Sequence, residues 1–179
     1  MSPYKRKFKD KSLRLCGWNY ANDGYYFITF NTQNRARCLG EIVDGKMILS
    51  DWGEIVKAEW LKSFEIRAEL FLDEYVIMPD HMHAIVVIRQ LVPIENKRYE
   101  KSEFYREPKS ISSFMAGFKS AVNTAIDNYI DEHQLNIPKY NRNNHFFQSN
   151  YYDHIIRQDG SYERIKKYII NNPKKWKHR

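Results

Sequence analysis

The chain contains little cysteine and no long apolar run. Its 179 residues include two cysteines, Cys16 and Cys38, whose spacing matches neither a metal-ligand pattern nor a disulfide framework. We find no secretory leader, no apolar segment long enough to cross a membrane, no internal repeat and no low-complexity tract. These absences argue against a disulfide-stabilised secreted domain, a membrane partner and a repeat array. We expect a single cytoplasmic domain, 1–179.

Positive charge exceeds negative charge, with 29 Lys and Arg against 22 Asp and Glu, a formal net charge of +7. Much of the excess lies in a basic N-terminal arm, 1–15, and a basic C-terminal tail, 173–179. This distribution favours a polyanionic partner such as a nucleic acid. The alternative for any single lysine is a solvated side chain without a defined contact.

Two histidines, His81 and His83, begin an apolar segment with strand character. Alternate side chains of a strand point the same way, so both imidazoles project to one face while Met82 turns into the apolar layer. A neutral imidazole binds divalent metals, and the unperturbed histidine pKa of ~6.5 makes the neutral form available near pH 7. The alternative is a polar strand end that binds nothing.

A second segment, 161–173, predicts a helix that Pro173 ends. Its apolar stripe consists of Tyr162, Ile165 and Ile169. Tyr168 and Asn172, four residues apart, share a face and could present a phenol and an amide oxygen to one point. Each also has an ordinary interpretation, as a packed tyrosine and as a helix end before proline.

Together these segments resemble the HUH single-tyrosine transposases, in particular the REP-associated tyrosine transposases and their insertion-sequence relatives. The matching segments follow the same order over most of the chain: 24–29, 32–35, 74–83 with the His-hydrophobic-His signature, 114–120, 151–157 and 168–173.

The resemblance implies that His81 and His83 bind a divalent cation, Mg²⁺ or Mn²⁺, and that Tyr168 is the nucleophile. It also implies a further metal ligand four residues after the tyrosine, which is Asn172 in this chain. The expected chemistry is cleavage and transfer of a DNA strand through a 5′-phosphotyrosine intermediate. Tyr129, on another predicted helix, is a competing candidate among 13 tyrosines.

The implied partner is single-stranded or hairpin DNA, and the implied location is the nucleoid. Relatives include monomers and dimers, so a homodimer remains open. The candidate DNA contacts are Lys5, Arg6, Lys7, Arg35, Lys174, Lys175 and Trp176. Two alternatives also remain open: a domesticated DNA-binding protein with little cleavage activity, and an RNA-binding module, although no glycine-aromatic RNA-binding signature is present.

The predicted elements give an α+β fold, a ferredoxin-like (RRM-like) antiparallel sheet with helices on one face and an added C-terminal helix that carries Tyr168. Strands are predicted at 25–32, 70–78, 81–88 and 146–156, with a hairpin at 37–50 around Asp44 and Gly45. Asp51 with Glu54 predicts the start of a helix to residue 67, and Ser110 predicts the cap of a helix to residue 133. Residues 91–108 are expected to be an exposed connection, and a structural hydrogen bond is expected for His154.

Overall fold

The computed structural model describes residues 18–90, 107–157 and 160–176. The predicted N-terminal arm with Lys5, Arg6 and Lys7 and nearly all of the predicted connection lie outside these ranges. The strands are β1 (Gly24–Asn31), β2 (Gly40–Val43), β3 (Lys46–Leu49), β4 (Leu70–Met78), β5 (His81–Ile88) and β6 (Tyr152–Ile156). The helices are α1 (Asp51–Ile66), α2 (Ile111–Glu132) and α3 (Ser161–Ile170), with short 3₁₀ helices at Gln33–Arg35 and Pro173–Lys175.

Four strands form the main sheet in the order β4-β5-β1-β6, and every neighbouring pair is antiparallel. Strands β2 and β3 form a separate hairpin between β1 and α1. With that hairpin set aside, the order is the ferredoxin-like one, in which the first and third strands are the central pair. The predicted α+β class and the predicted sheet are confirmed.

The two faces of the sheet contact different helices. Alternate residues of β1 and β5, among them Phe30 and Met82, are fully buried in a large core that includes Trp60 of α1 and Phe118 of α2. On the other face lies a smaller apolar cluster, formed by Ile85, Ile156 and Ile169 of α3, with Phe27, Val76, Tyr162 and Ile165 packed against it. Strand β5 is therefore covered on both sides, and α3 lies across the face to which the histidines point.

Local sequence signals explain most element boundaries, with two corrections. The N-cap of α1 is Ser50, not Asp51, because the Ser50 hydroxyl accepts a hydrogen bond from the Gly53 amide at 3.2 Å. Ser110 caps α2 as predicted. The final strand starts at Tyr152, not at residue 146, because the chain before it turns Phe147 into the core and pairs it with Thr32 only through an isolated bridge.

The hairpin turn is where the sequence predicts it. Asp44 and Gly45 both adopt left-handed backbone angles, with φ of 49° and 72°, as a two-residue hairpin turn requires. Within the three described ranges, no helix has the length and apolar character needed to cross a membrane.

Candidate active site

The register of β1 and β5 builds the centre of the site. His83 lies opposite Thr29 and His81 lies opposite Asn31, on the face covered by α3. Both histidines are buried, with 7% and 6% of their surface exposed, and their Nε2 atoms are 3.1 Å apart. The strand geometry predicted from the sequence thus brings the two imidazoles together at one point.

Each histidine has a partner on its other ring nitrogen. The Nδ1 atom of His81 lies 2.5 Å from Oδ1 of Asp80, and an ionised carboxylate can only accept, so we assign the proton to Nδ1. The Nδ1 atom of His83 lies 2.6 Å from the hydroxyl of Thr29, which can accept from it in the same way. These assignments leave both Nε2 lone pairs facing the same small space.

Burial keeps both rings neutral near pH 7. Desolvation, with smaller contributions from the neighbouring His81 and Arg35, lowers the pKa of His83 to about 3. Desolvation also lowers the pKa of His81, against the opposing effect of the Asp80 carboxylate. Two neutral imidazoles with converging lone pairs are a donor set for a cation rather than for a proton.

The residues present fit a divalent cation. When two ligand atoms each lie about 2.1 Å from one ion and their bonds to it meet at a right angle, the two atoms are about 3 Å apart. The two Nε2 atoms have nearly this separation, at 3.1 Å. Among the residues that the structure describes, no three or more His, Cys, Asp or Glu side chains group as metal ligands. A third protein ligand from this part of the chain would therefore have to be an oxygen of another residue type, such as an amide or a phenol.

Helix α3 brings Tyr168 to the histidines. The phenol oxygen lies 3.0 Å from Nε2 of His83, in position to donate its hydrogen to that lone pair. Phe27 stacks on the His83 ring at 5.5 Å and meets the edge of the Tyr168 ring at 6.3 Å, which fixes the two rings relative to each other. Tyr168 is 45% exposed, so its phenol oxygen lies at a boundary between the buried pair and solvent.

Asn172 and Trp176 lie beyond the end of α3, which stops at Ile170 and not at Pro173 as predicted, because Asn171 leaves helical backbone angles. Asn172 retains helical backbone angles, and Trp176, eight residues after Tyr168, lies with its ring 5.8 Å from that of His81. The Asn172 residue is partly buried, and its side-chain amide makes no hydrogen bond with any residue in the described ranges, although its backbone N–H donates to Ile169. Its assignment as a metal ligand stays a prediction.

Comparison with known proteins gives a sequence relative and similar solved structures. The chain is 32% identical over 175 residues to an uncharacterized protein of Haemophilus influenzae, covering 93% of this chain and 89% of the relative. This chain belongs to the same family. No protein-family model matches the sequence.

The fold is that of a solved REP-associated tyrosine transposase bound to a REP hairpin, with a TM-score of 0.55 and 19% identity. The match covers 98% of this chain and 74% of the transposase. At that identity the likeness concerns the fold, and at the level of the fold it confirms the resemblance expected from the sequence.

The basic candidates fall into two groups beside the site. Arg35 donates to Oδ1 of Asn31 at 2.7 Å and lies 3.7 Å from the Asp80 carboxylate, so it is held close to the His81 end of the site. Lys174 and Lys175 are exposed and follow α3 directly. The structure therefore brings Arg35 and Trp176 beside His81, whereas Lys174 lies against Gly45 of the β2–β3 hairpin.

Sequence reasoning missed three residues that contact the histidines: Thr29, Phe27 and Asp80. Asp80 could have been found, because a carboxylate next to a metal-type histidine is a common orienting partner. Thr29 could not, since only the strand register brings it to His83.

The competing Tyr129 donates to Asp51 at 2.7 Å between α1 and α2, on the other side of the sheet. The side chain of His154 is exposed on β6 and makes no hydrogen bond within the described part of the chain, so the structural hydrogen bond expected for it is wrong for those residues.

Proposed function

We propose that this protein is a transposase-type enzyme that nicks and rejoins single-stranded or hairpin DNA, with Tyr168 as nucleophile. The observation that carries the proposal is the placement of the Tyr168 oxygen 3.0 Å from His83 in a site whose two imidazole lone pairs converge. The fold shared with a REP-associated tyrosine transposase supports the same conclusion.

The cation would be Mg²⁺ or Mn²⁺, held by His81, His83 and the Asn172 amide oxygen. When bound, it would supply Lewis-acid polarisation of a non-bridging oxygen of the scissile phosphate. Imidazole together with oxygen ligands suits either ion. The hydrogen bonds from the histidines to Asp80 and Thr29 hold the rings in the tautomer that binding requires.

In the chemical step, groups on this chain position the Tyr168 phenol for attack on the phosphate. A phenol with a pKa near ~10 is a weak nucleophile, so its proton must leave as it attacks. Because the Nε2 lone pair of His83 would hold the cation, that proton would pass to water at the exposed side of the phenol. The phenol oxygen forms a bond to phosphorus while the bond from phosphorus to the 3′ oxygen breaks. The leaving 3′ oxygen gains a proton and becomes a free hydroxyl. The reverse step reseals the strand or joins it to another end.

The neighbouring basic and aromatic residues define a path for the DNA. Lys174 and Lys175 would neutralise phosphates beside the cleaved bond, and Arg35 would do so on the His81 side. The Trp176 ring, beside His81 and 5.7 Å from the guanidinium of Arg37, is available for stacking by an unpaired base. Lys5, Arg6 and Lys7 are proposed to extend this contact. A homodimer is compatible with this path.

The test is covalent capture of labelled DNA. Full-length protein is incubated with end-labelled, hairpin-containing single-stranded DNA plus Mg²⁺ or Mn²⁺, and adducts are separated on a denaturing gel. We expect an adduct with wild type that disappears in Tyr168→Phe and on chelation, while DNA binding by Tyr168→Phe persists. The matched control is Tyr152→Phe, which removes another exposed phenol on the same sheet face, 6.2 Å from the Phe27 ring. Tight binding without any adduct would instead indicate a DNA-binding protein that has lost cleavage.

A further inference from the structure

Three side chains away from the histidines connect α3 to the edge strand β4. The carboxylate of Asp73 accepts from the Tyr162 hydroxyl at 2.7 Å through one oxygen and from the Lys166 ammonium at 2.8 Å through the other. Lys166 also lies 3.2 Å from the Tyr162 oxygen, which closes a triangle of contacts. We call Asp73, Tyr162 and Lys166 the α3 latch.

A break in the β4 register points Asp73 toward α3. Leu72 pairs with Val86 and Tyr75 pairs with Ala84, so two residues of β4, Asp73 and Glu74, stand opposite the single residue Ile85. Such a bulge re-aims side chains and is common beside active sites. Ile85 belongs to the cluster that contacts α3, and His83 lies two residues before it on the same face. The bulge therefore places a carboxylate beside the helix that carries Tyr168.

Helix α3 has few other means of holding its position. It has ten residues, its N-cap is Gly160, and no side chain caps its first turn. A helix of this length is marginal on its own in water, so its position depends on tertiary contacts. The buried stripe of Ile165 and Ile169 supplies an apolar contact that tolerates small sliding movements, whereas the paired hydrogen bonds to Asp73 fix one register.

We propose that Asp73 is a positioning residue, which acts through Tyr162 and Lys166 to fix α3 on the sheet and thereby sets the Tyr168 oxygen against the histidine pair. The predicted effect of Asp73 on DNA cleavage rests on the proposed function, whereas its effect on the position of α3 does not. Asp73 is largely buried, with 13% of its side chain exposed, and Lys166 is one-third exposed, so solvent competes only partly with their contact. The partnership with Asp73 also raises the pKa of Lys166, which keeps it charged.

The latch predicts a rate defect rather than a binding defect. At saturating labelled hairpin DNA, Asp73→Ala should lower the single-turnover rate of adduct formation by about 10- to 100-fold, since a displacement of about 1 Å of a reacting group costs up to that much. The dissociation constant for DNA should change less than threefold. Asp73→Asn, which keeps one acceptor, should give an intermediate rate, and the exchange Asp73→Lys with Lys166→Asp should recover at least part of the loss.

A matched control exists elsewhere in the chain. Asp51 accepts a hydrogen bond from the Tyr129 hydroxyl at the same 2.7 Å, but between α1 and α2. Asp51→Ala therefore removes a tyrosine–carboxylate hydrogen bond of the same length, at a more exposed place on the far side of the sheet, and we expect it to leave the adduct rate unchanged. Equal rate losses in Asp51→Ala and Asp73→Ala would show general destabilisation and overturn the proposal.

Amide hydrogen exchange of the full chain, read by mass spectrometry without DNA or metal, separates the latch from the enzyme activity. Asp73→Ala should speed exchange in peptides that cover α3 by about tenfold or more and leave α2 unchanged. Unchanged exchange in α3 would overturn the latch, whatever the activity. Faster exchange in α3 together with an inactive wild type would sustain the latch and overturn the proposed function instead.

Discussion

The hydroxyl of Thr29 is the contact whose loss should most specifically weaken metal binding. It lies 2.6 Å from Nδ1 of His83, and the replacement Thr29→Val keeps the shape and the strand preference of the residue while removing the oxygen. The His83 ring would lose its orienting partner, and its proton could then move to Nε2, the atom that faces His81 at 3.1 Å. A ring in that tautomer cannot bind a cation through Nε2.

The expected magnitude follows from the geometry. Removing one partner of a buried hydrogen bond, so that the N–H is left unpaired, costs about 1–3 kcal/mol. Because 1.4 kcal/mol is about a factor of ten, we expect manganese affinity to fall by about 10- to 100-fold, the range typical for orienting partners of metal ligands. The matched variant Thr29→Ser keeps the hydroxyl and should stay within about threefold of wild type.

Manganese affinity can be measured directly by isothermal titration calorimetry and functionally by titrating adduct formation with Mn²⁺ at saturating DNA. Thermal unfolding of the metal-free variants should differ from wild type by no more than a few degrees, which separates metal binding from folding. Wild-type manganese affinity in Thr29→Val would refute the assignment of Nδ1 protonation and, with it, the convergence of the two lone pairs.

Four further outcomes are expected. In chelator-treated protein, His83 takes up a proton below pH ~6.5 in the unfolded chain but stays unprotonated down to about pH 3 in the folded chain. The free energy of unfolding should therefore decrease as the pH falls from ~6.5 to about 3, by up to about 1.4 kcal/mol per pH unit. When the free energy of unfolding is measured by urea titration at several pH values, it should depend less steeply on pH in His83→Asn than in wild type. Equal dependence on pH in the two proteins would contradict the burial argument. Lys174→Gln should weaken DNA binding for all sequences and reduce the slope of log affinity against log salt by about 1, whereas an unchanged slope would remove Lys174 from the DNA path. Trp176→Ala should cost about 1–3 kcal/mol in binding single-stranded DNA through lost stacking, checked by fluorescence anisotropy against double-stranded DNA, which should be affected less. A mixture of Tyr168→Phe and His83→Ala should form no adduct if α3 serves its own chain, and recovery of adduct on mixing would show that the tyrosine is supplied by a partner chain.

The sequence predicts the parts of the site that depend on local periodicity. Two-residue alternation is enough to place His81 and His83 on one face. The helix was predicted to reach Pro173 but ends at Ile170, so the alignment of Tyr168 with Asn172 stays a prediction. The ferredoxin-like fold class followed from the element pattern and suits the resemblance, and the structure confirms it.

Contacts between distant segments could not be predicted in this way. The pairing of Thr29 with His83 depends on the register between two strands more than fifty residues apart, which no local pattern encodes. The bulge that turns Asp73 toward α3 leaves no signal in a strand that reads as continuous. The start of β6 was predicted too early, because Phe146 and Phe147 have the composition of a strand but pack in the core as an irregular segment.

The most direct test of the central claim is to locate the covalent bond. Adduct formed with hairpin-containing single-stranded DNA and Mn²⁺ is digested with protease and nuclease, and the modified peptide is sequenced by mass spectrometry. The structure predicts a phosphotyrosyl nucleotide on Tyr168 and on no other of the 13 tyrosines. A nucleotide attached to a different tyrosine, with Tyr168 unmodified, would contradict the account.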